Sequence, residues 1–348
     1  MHSTKKWAAL AAVIALSLSA CSSDDPAEDP SGSTTPGNDA PLIAFAQESV
    51  ENSWRSENTD SIVKTLEGAG YRVIYQQADA DQARQIAQVQ TMLQQNPALL
   101  VVEPAEQEAA TPIVGLAEEA GVPLLVADQG LGATPGVGQY KTLITVNWEE
   151  MGKAFGELAV QILTDINGSP KGTIVEIVGN LGSAPQIGLD KGFQSVISQY
   201  PEIKILDSQD GDNQRGPGMT IMENYLSRFA AGQIDMVWAQ NDEMALGALR
   251  AIQNAGRDEL LGRIIGKDGL VEAMKEVAAG NLAATCSNTP YFGPIILPYV
   301  QQILAGETVA ATPDKPFTCF NNLTPEADTE AKDVYQEMLD GEMMFAPR

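Results

Sequence analysis

From residue 42 onward, short and continuously apolar runs alternate with stripes of apolar residues at helical spacing. The first series of strand candidates covers 42–47, 71–75, 99–103, 123–127 and 143–146. A second series of similar size covers 173–178, 203–207, 235–239, 263–266 and 282–286. Between them lie amphipathic helices, with stripes such as Ile62, Val63, Leu66 and Ala69, or Ile86, Val89 and Leu93. Strands that are apolar on both sides belong to parallel sheets covered by helices on both faces. Roughly 300 residues of this pattern exceed what one core holds, so the α/β reading is of two doubly wound, Rossmann-like lobes.

The sharpest unit is MVWAQNDEMALGALRAIQNAG, from Met236 to Gly256. Met236, Val237, Trp238 and Ala239 form the strand. Leu246, Leu249, Ala251 and Ile252 form the helical stripe, and Gly256 stops it. Asp242 reads as the N-cap, which leaves Asn241 at the carboxyl end of the strand, where open α/β sheets hold ligands. An amide there donates and accepts, which suits a polyhydroxylated guest and no bond-breaking step. After the first strand, the loop ESVENSWR places Asn52, Trp54 and Arg55 at the start of a helix. An indole face packs on sugar C–H groups and a guanidinium donates to hydroxyls; the plainer alternative is local packing for Trp54 and a surface charge for Arg55. Asp128 follows strand 123–127 in the same way, as a hydroxyl acceptor or as a turn cap. The Gly-rich run 179–193 lacks the GK[ST] ending of a phosphate loop.

At the N-terminus, Lys5 and Lys6 precede an apolar stretch from Trp7 to Leu18, and Leu18-Ser19-Ala20-Cys21 reads as a lipobox. A dozen apolar residues are too few to span a bilayer, which needs about 20. We therefore expect a signal peptide over 1–20, a lipidated Cys21 and a flexible tether over 21–41, rich in Ser, Asp, Gly and Pro. The charge of −25, from 21 basic and 46 acidic residues, argues against binding to nucleic acid or to an anionic membrane by surface charge. The one histidine is His2, inside the expected signal peptide. Its loss removes Ser-His and Cys-His machinery and His-ligated metals, so binding is expected and no enzyme activity. Cys286 and Cys319 can pair as a disulfide or remain two buried thiols; without a CxxC they suggest no metal. The run 207–214, DSQDGDNQ, lacks the ligand order and final Glu of a calcium loop.

The 236–256 segment closely resembles the signature of the pentose- and hexose-binding proteins of type I (ribose-binding-like) ABC importers. The resemblance extends over 42 to about 322. The run IAFAQESVENSWRSENTDSI is most similar to the galactofuranose-binding branch, with its Trp-Arg pair. It implies a first lobe of 42–145 plus 289–317 and a second of 146–288 plus 318–348. The chain would cross between them three times, near 145–147, 288–290 and 317–320. Cys286 and Cys319 would flank two neighbouring crossings, and 291–306 would be a first-lobe helix with Pro294 in its first turn. By family correspondence Asn213, Asn241, Asp268 and Asn288 converge on the ligand with Asp128. Two positions depart from the family: Gln129 stands where an arginine follows the aspartate, and Leu189 where another arginine binds ligand. A local shift would bring Gln186 or Lys191 into play instead of Leu189. The resemblance implies a monomeric, cofactor-free lipoprotein on the extracytoplasmic face of the membrane. It would capture a pentose or hexose, in furanose form for the galactofuranose branch, for an ABC permease and its ATPase. The alternative is a receptor subunit of the same fold, reporting to a membrane kinase or chemoreceptor.

Overall fold

A computed structural model describes residues 39–347. The expected signal peptide, Cys21 and nearly all of the tether lie outside the described residues. The first sheet is built from β1 (Leu42–Gln47), β2 (Arg72–Gln77), β3 (Leu99–Val102), β4 (Leu124–Ala127) and β5 (Tyr140–Ile144). They run parallel in the order β2-β1-β3-β4-β5. The second sheet holds β6 (Gly172–Val178), β7 (Ile203–Asp210), β8 (Met236–Ala239), β9 (Ile264–Asp268), β10 (Ala284–Ser287) and β11 (Cys319–Asn321). Its order is β11-β10-β9-β8-β6-β7, with only β11 antiparallel.

Helices cover both faces of each sheet, and this is why inner strands such as β3, β4 and β8 are apolar at every position. In the first lobe, α1 (Ser53–Gly68) sets Ile62 and Leu66 against Ile43, Phe45 and Val101. On the opposite face, α2 (Gln82–Leu93) and α3 (Pro112–Ala120) set Val89, Met92 and Ile113 against Ala44, Leu100 and Val126. In the second lobe, α4 (Trp148–Asn167) and α5 (Ala184–Ile197) cover Ile174, Met236, Trp238 and Ile265, with Phe193 stacked on Trp238 at 3.8 Å. The other face receives α6 (Arg215–Arg228), α7 (Asp242–Ala255) and α8 (Val271–Ala278). Each fully buried large side chain contributes roughly 1.5–3 kcal/mol.

Three segments carry the chain between the sheets. Residues 145–147 leave β5 and enter α4, which packs on α5 and β8. Residues 288–291 leave β10 and enter α9 (Phe292–Leu304), which packs on α1 and β4. The chain then runs along the edge of β5, where the Thr142 hydroxyl donates to the Ala310 carbonyl at 2.8 Å and the Leu143 N–H to Ala311 at 2.8 Å. It returns as β11 beside β10 and ends in α10 (Pro325–Asp340). Cys286 and Cys319 face each other across β10 and β11 and are joined as a disulfide.

Several boundaries differ from the sequence expectation. Edge strands β2 and β7 continue through Gln76 and Gln77 and through Ser208 to Asp210, where one side faces water and the apolar signal stops. The strand expected at 143–146 forms instead at 140–144, because buried Tyr140 pairs with Leu124 and Thr145 turns its hydroxyl onto the Asp128 carbonyl. Asp242 is not the cap of α7. Asn241 is: its backbone is extended (φ −152°) and its Oδ1 accepts from the Met244 N–H at 2.9 Å. Asp242 points inward, accepting from Thr285 Oγ1 at 2.7 Å and from the Leu270 N–H at 2.8 Å. Burial holds its carboxyl well above the usual carboxylate range.

Candidate functional site

The carboxyl ends of both parallel sheets open on one narrow cavity. All ten residues expected to hold a ligand line it: Asn52, Trp54, Arg55, Asp128, Gln129, Leu189, Asn213, Asn241, Asp268 and Asn288.

On the first-lobe wall, Asn52 caps α1, its Oδ1 accepting from the Arg55 N–H at 3.0 Å. That cap turns Trp54 and Arg55 inward from the first helical turn. The Trp54 indole N–H donates to the Asn288 carbonyl, and its ring meets Phe292 edge-on at 6.1 Å. The Arg55 guanidinium lies 4.6 Å over the indole. It is not the surface charge of the plainer alternative. Its Nη1 pairs with Glu103 at 3.0 Å and Asp128 at 2.8 Å, and its Nη2 with Glu48. Three of its five N–H groups are thus engaged by carboxyl groups of its own lobe. Burial works against the guanidinium charge, but Glu48, Asp128 and Glu103 more than offset it and raise its pKa. The same burial pushes Glu103 up to about 8 and Glu48 well above its ordinary range.

Asp128 takes a left-handed backbone (φ 56°) just past β4, and its second oxygen accepts from Asn288 Nδ2 at 3.2 Å. Gln129 donates to Glu48 at 2.7 Å. Asn288, at the β10 crossing, also accepts from Lys315 Nζ at 2.7 Å, and burial lowers that ammonium to about 8.

On the second-lobe wall, Asp268 ends β9 at φ 118° and pairs with Lys267 at 2.7 Å. Burial raises its carboxyl to about 6, against the pull of Lys267. Lys267 is thus a buried ion-pair partner. Leu189, on α5, is 1 % exposed and supplies an apolar patch. Gln186 also lines the cavity and is spent on Asp190 and on the Gly182 N–H at 3.1 Å, whereas Lys191 reaches Glu149 at the surface. The Asn213 carbonyl receives two amides, Asn241 Nδ2 at 3.0 Å and Asn52 Nδ2 at 3.1 Å. The second of these joins the two walls. So do the hydroxyl of Ser53 on Glu243 at 2.8 Å and the Gln107 N–H on the Gly182 carbonyl at 3.0 Å.

A model described as the periplasmic binding protein domain matches residues 43–308. The chain belongs to this family. A xylitol-binding protein of Mycolicibacterium smegmatis is 30% identical over 82% of this chain and 76% of its own length. The galactofuranose-binding protein YtfQ of Escherichia coli is 30% identical over 72% of this chain and 78% of its own. A crystal structure from Mycobacterium smegmatis in complex with β-D-fucofuranose superposes with a TM-score of 0.76 at 29% identity, covering 87% of this chain and 98% of that one. The fold is that of a type I periplasmic binding protein, as its two doubly wound sheets already indicate.

In this periplasmic binding protein, sequence reasoning missed Glu48, Glu51, Glu103, Gln240 and Lys315. Glu48, Glu103 and Gln240 each follow directly on a parallel strand, the signal that singled out Asp128. Gln240 donates to Glu176 at 3.2 Å and to Asp190; burial and the neighbouring Asp190 raise Glu176 to about 7. Lys315 lies in an irregular loop with no pattern to mark it. Among the described residues, no group of three or more His, Cys, Asp or Glu is placed to hold a metal ion. No helix there is long and apolar enough to cross a membrane.

Proposed function

We propose that this chain is an extracytoplasmic, lipid-anchored solute-binding protein that captures a sugar or polyol by hinge closure and delivers it to an ABC importer. The convergence of all ten expected residues on one cavity, at the carboxyl ends of two facing parallel sheets, carries the reading. The wall is dense in amides and carboxylates suited to vicinal hydroxyls, with Trp54 and Leu189 as its apolar contribution. A guest touching both walls favours the closed form by its differential affinity, and Asn52–Asn213 and Ser53–Glu243 are contacts the open form would lack. Relatives that bind xylitol and galactofuranose support a small polyol, in open-chain or furanose form. Cys21 is the proposed lipid attachment; a Cys21→Ser chain should move from the membrane fraction to the soluble one. The deciding experiment is a thermal-shift screen over pentoses, hexoses and sugar alcohols. A true ligand at a hundredfold excess over its Kd adds about 2.7 kcal/mol of apparent stability. No shift with any member would remove the reading.

A further inference from the structure

The first-lobe wall gathers four carboxyl groups around one guanidinium. Glu48, Glu103 and Asp128 share the single guanidinium of Arg55, and Glu51 stands beside them in the cavity lining. Lys315 is the next cation, and it is directed to the Asn288 amide. The facing wall offers no spare cation, since Lys267 is taken by Asp268, and Glu176 and Asp190 are held by the neutral amides of Gln240 and Gln186.

A second observation is independent of charge. Gln129 is 2 % exposed and lines the cavity; its Nε2 is committed to Glu48, and its Oε1 has no donor among the described residues. The same holds for one oxygen of Glu51, whose other oxygen accepts from Asn52 Nδ2 at 3.4 Å. A carbonyl oxygen cannot be satisfied by titration; it needs an N–H or O–H brought to it. A neutral hydroxyl supplies one donor and no charge. An ammonium supplies three donors and a positive charge that favours the ionised form of the carboxyls beside it.

We propose that the guest carries a protonated amine, an amino sugar or amino polyol, with its ammonium seated against Glu51 and Gln129. This rests on the sugar-binding reading above. The remaining hydroxyls would meet Asp268, Asn241 and Asn288, and no covalent step is involved.

The test is calorimetry of the full mature chain with matched probes: glucosamine, galactosamine and 1-amino-1-deoxysorbitol, each beside its neutral parent and its N-acetyl derivative. The amines are expected to bind about tenfold or more tighter than parent and N-acetyl forms, as a charge-assisted contact implies. For 1-amino-1-deoxysorbitol, whose alkylammonium stays protonated across the range, that advantage should shrink from about pH 8 to about pH 5, as the carboxylates take up protons. Glu51→Gln, checked for an unchanged melting profile, should reduce the amine-to-parent affinity ratio about tenfold. Neutral parents binding as well as or better than their amines would overturn this inference and leave the sugar reading standing. An unchanged ratio in Glu51→Gln would also overturn it. Binding by none of the probes would overturn both.

Discussion

Burial without full compensation is the recurring theme among individual side chains. Glu103 is held up to about 8, Glu176 to about 7 and Asp268 to about 6, each chiefly by removal from water. A carboxyl raised on folding adds stability below its unfolded pKa and loses it as pH rises through its folded one. The chain should therefore melt higher at about pH 5 than at about pH 8.5, the reverse of ordinary acid denaturation. Glu103→Gln should narrow that difference, and calorimetric scans across pH decide it; a profile that is flat or rises toward alkaline pH would refute the account. Asn241 carries a different expectation. As the cap of α7 and a donor to Asn213, it is structural as well as ligand-facing. Asn241→Ala should cost about 1 kcal/mol in urea unfolding besides weakening ligand binding. The site was legible where a polar residue closely follows an apolar strand, as at Asp128 and Asn241, and Asp268 came from the family resemblance. It was illegible in its pairings. Arg55 reads as a free donor until Glu48 and Glu103, which meet it only in the fold, are seen to hold it.

For whole elements, the sequence announced inner strands and helix stripes clearly, because burial on two faces leaves an unbroken apolar run. It was silent about β11, three residues long and antiparallel, whose only support is its pairing with β10. Glycines explain how closely the cavity-wall helix is held. A Cβ on Gly192 of α5 would collide with the Glu149 carbonyl of α4, and one on Gly152 of α4 with the Leu189 carbonyl. Gly192→Ala should push α5 off α4 at about 1–3 kcal/mol and displace Leu189 from the cavity wall. Urea midpoints together with ligand affinity would test this; a wild-type value for both would show that the helices have slack.

Across the molecule, all three passages between the sheets lie near the cavity, and the disulfide ties two of the strands they join. Cys286 and Cys319 close a loop of sequence separation 33. Replacing both by serine should cost about 3–4 kcal/mol by the loop-entropy estimate. A reductant should lower the melting temperature of the parent chain and leave the double serine variant unmoved. Because the bridge lies within one sheet, ligand affinity should survive its loss, which calorimetry on the variant would check.

The receptor of the two amides at Asn213 is a main-chain oxygen, and every substitution at that position keeps it. Random mutagenesis screened at residue 213 would thus miss the latch altogether. Anyone converting this chain into a sensor would have to tune its resting equilibrium from the donor side, where changing Asn52 removes one of the three ties between the halves.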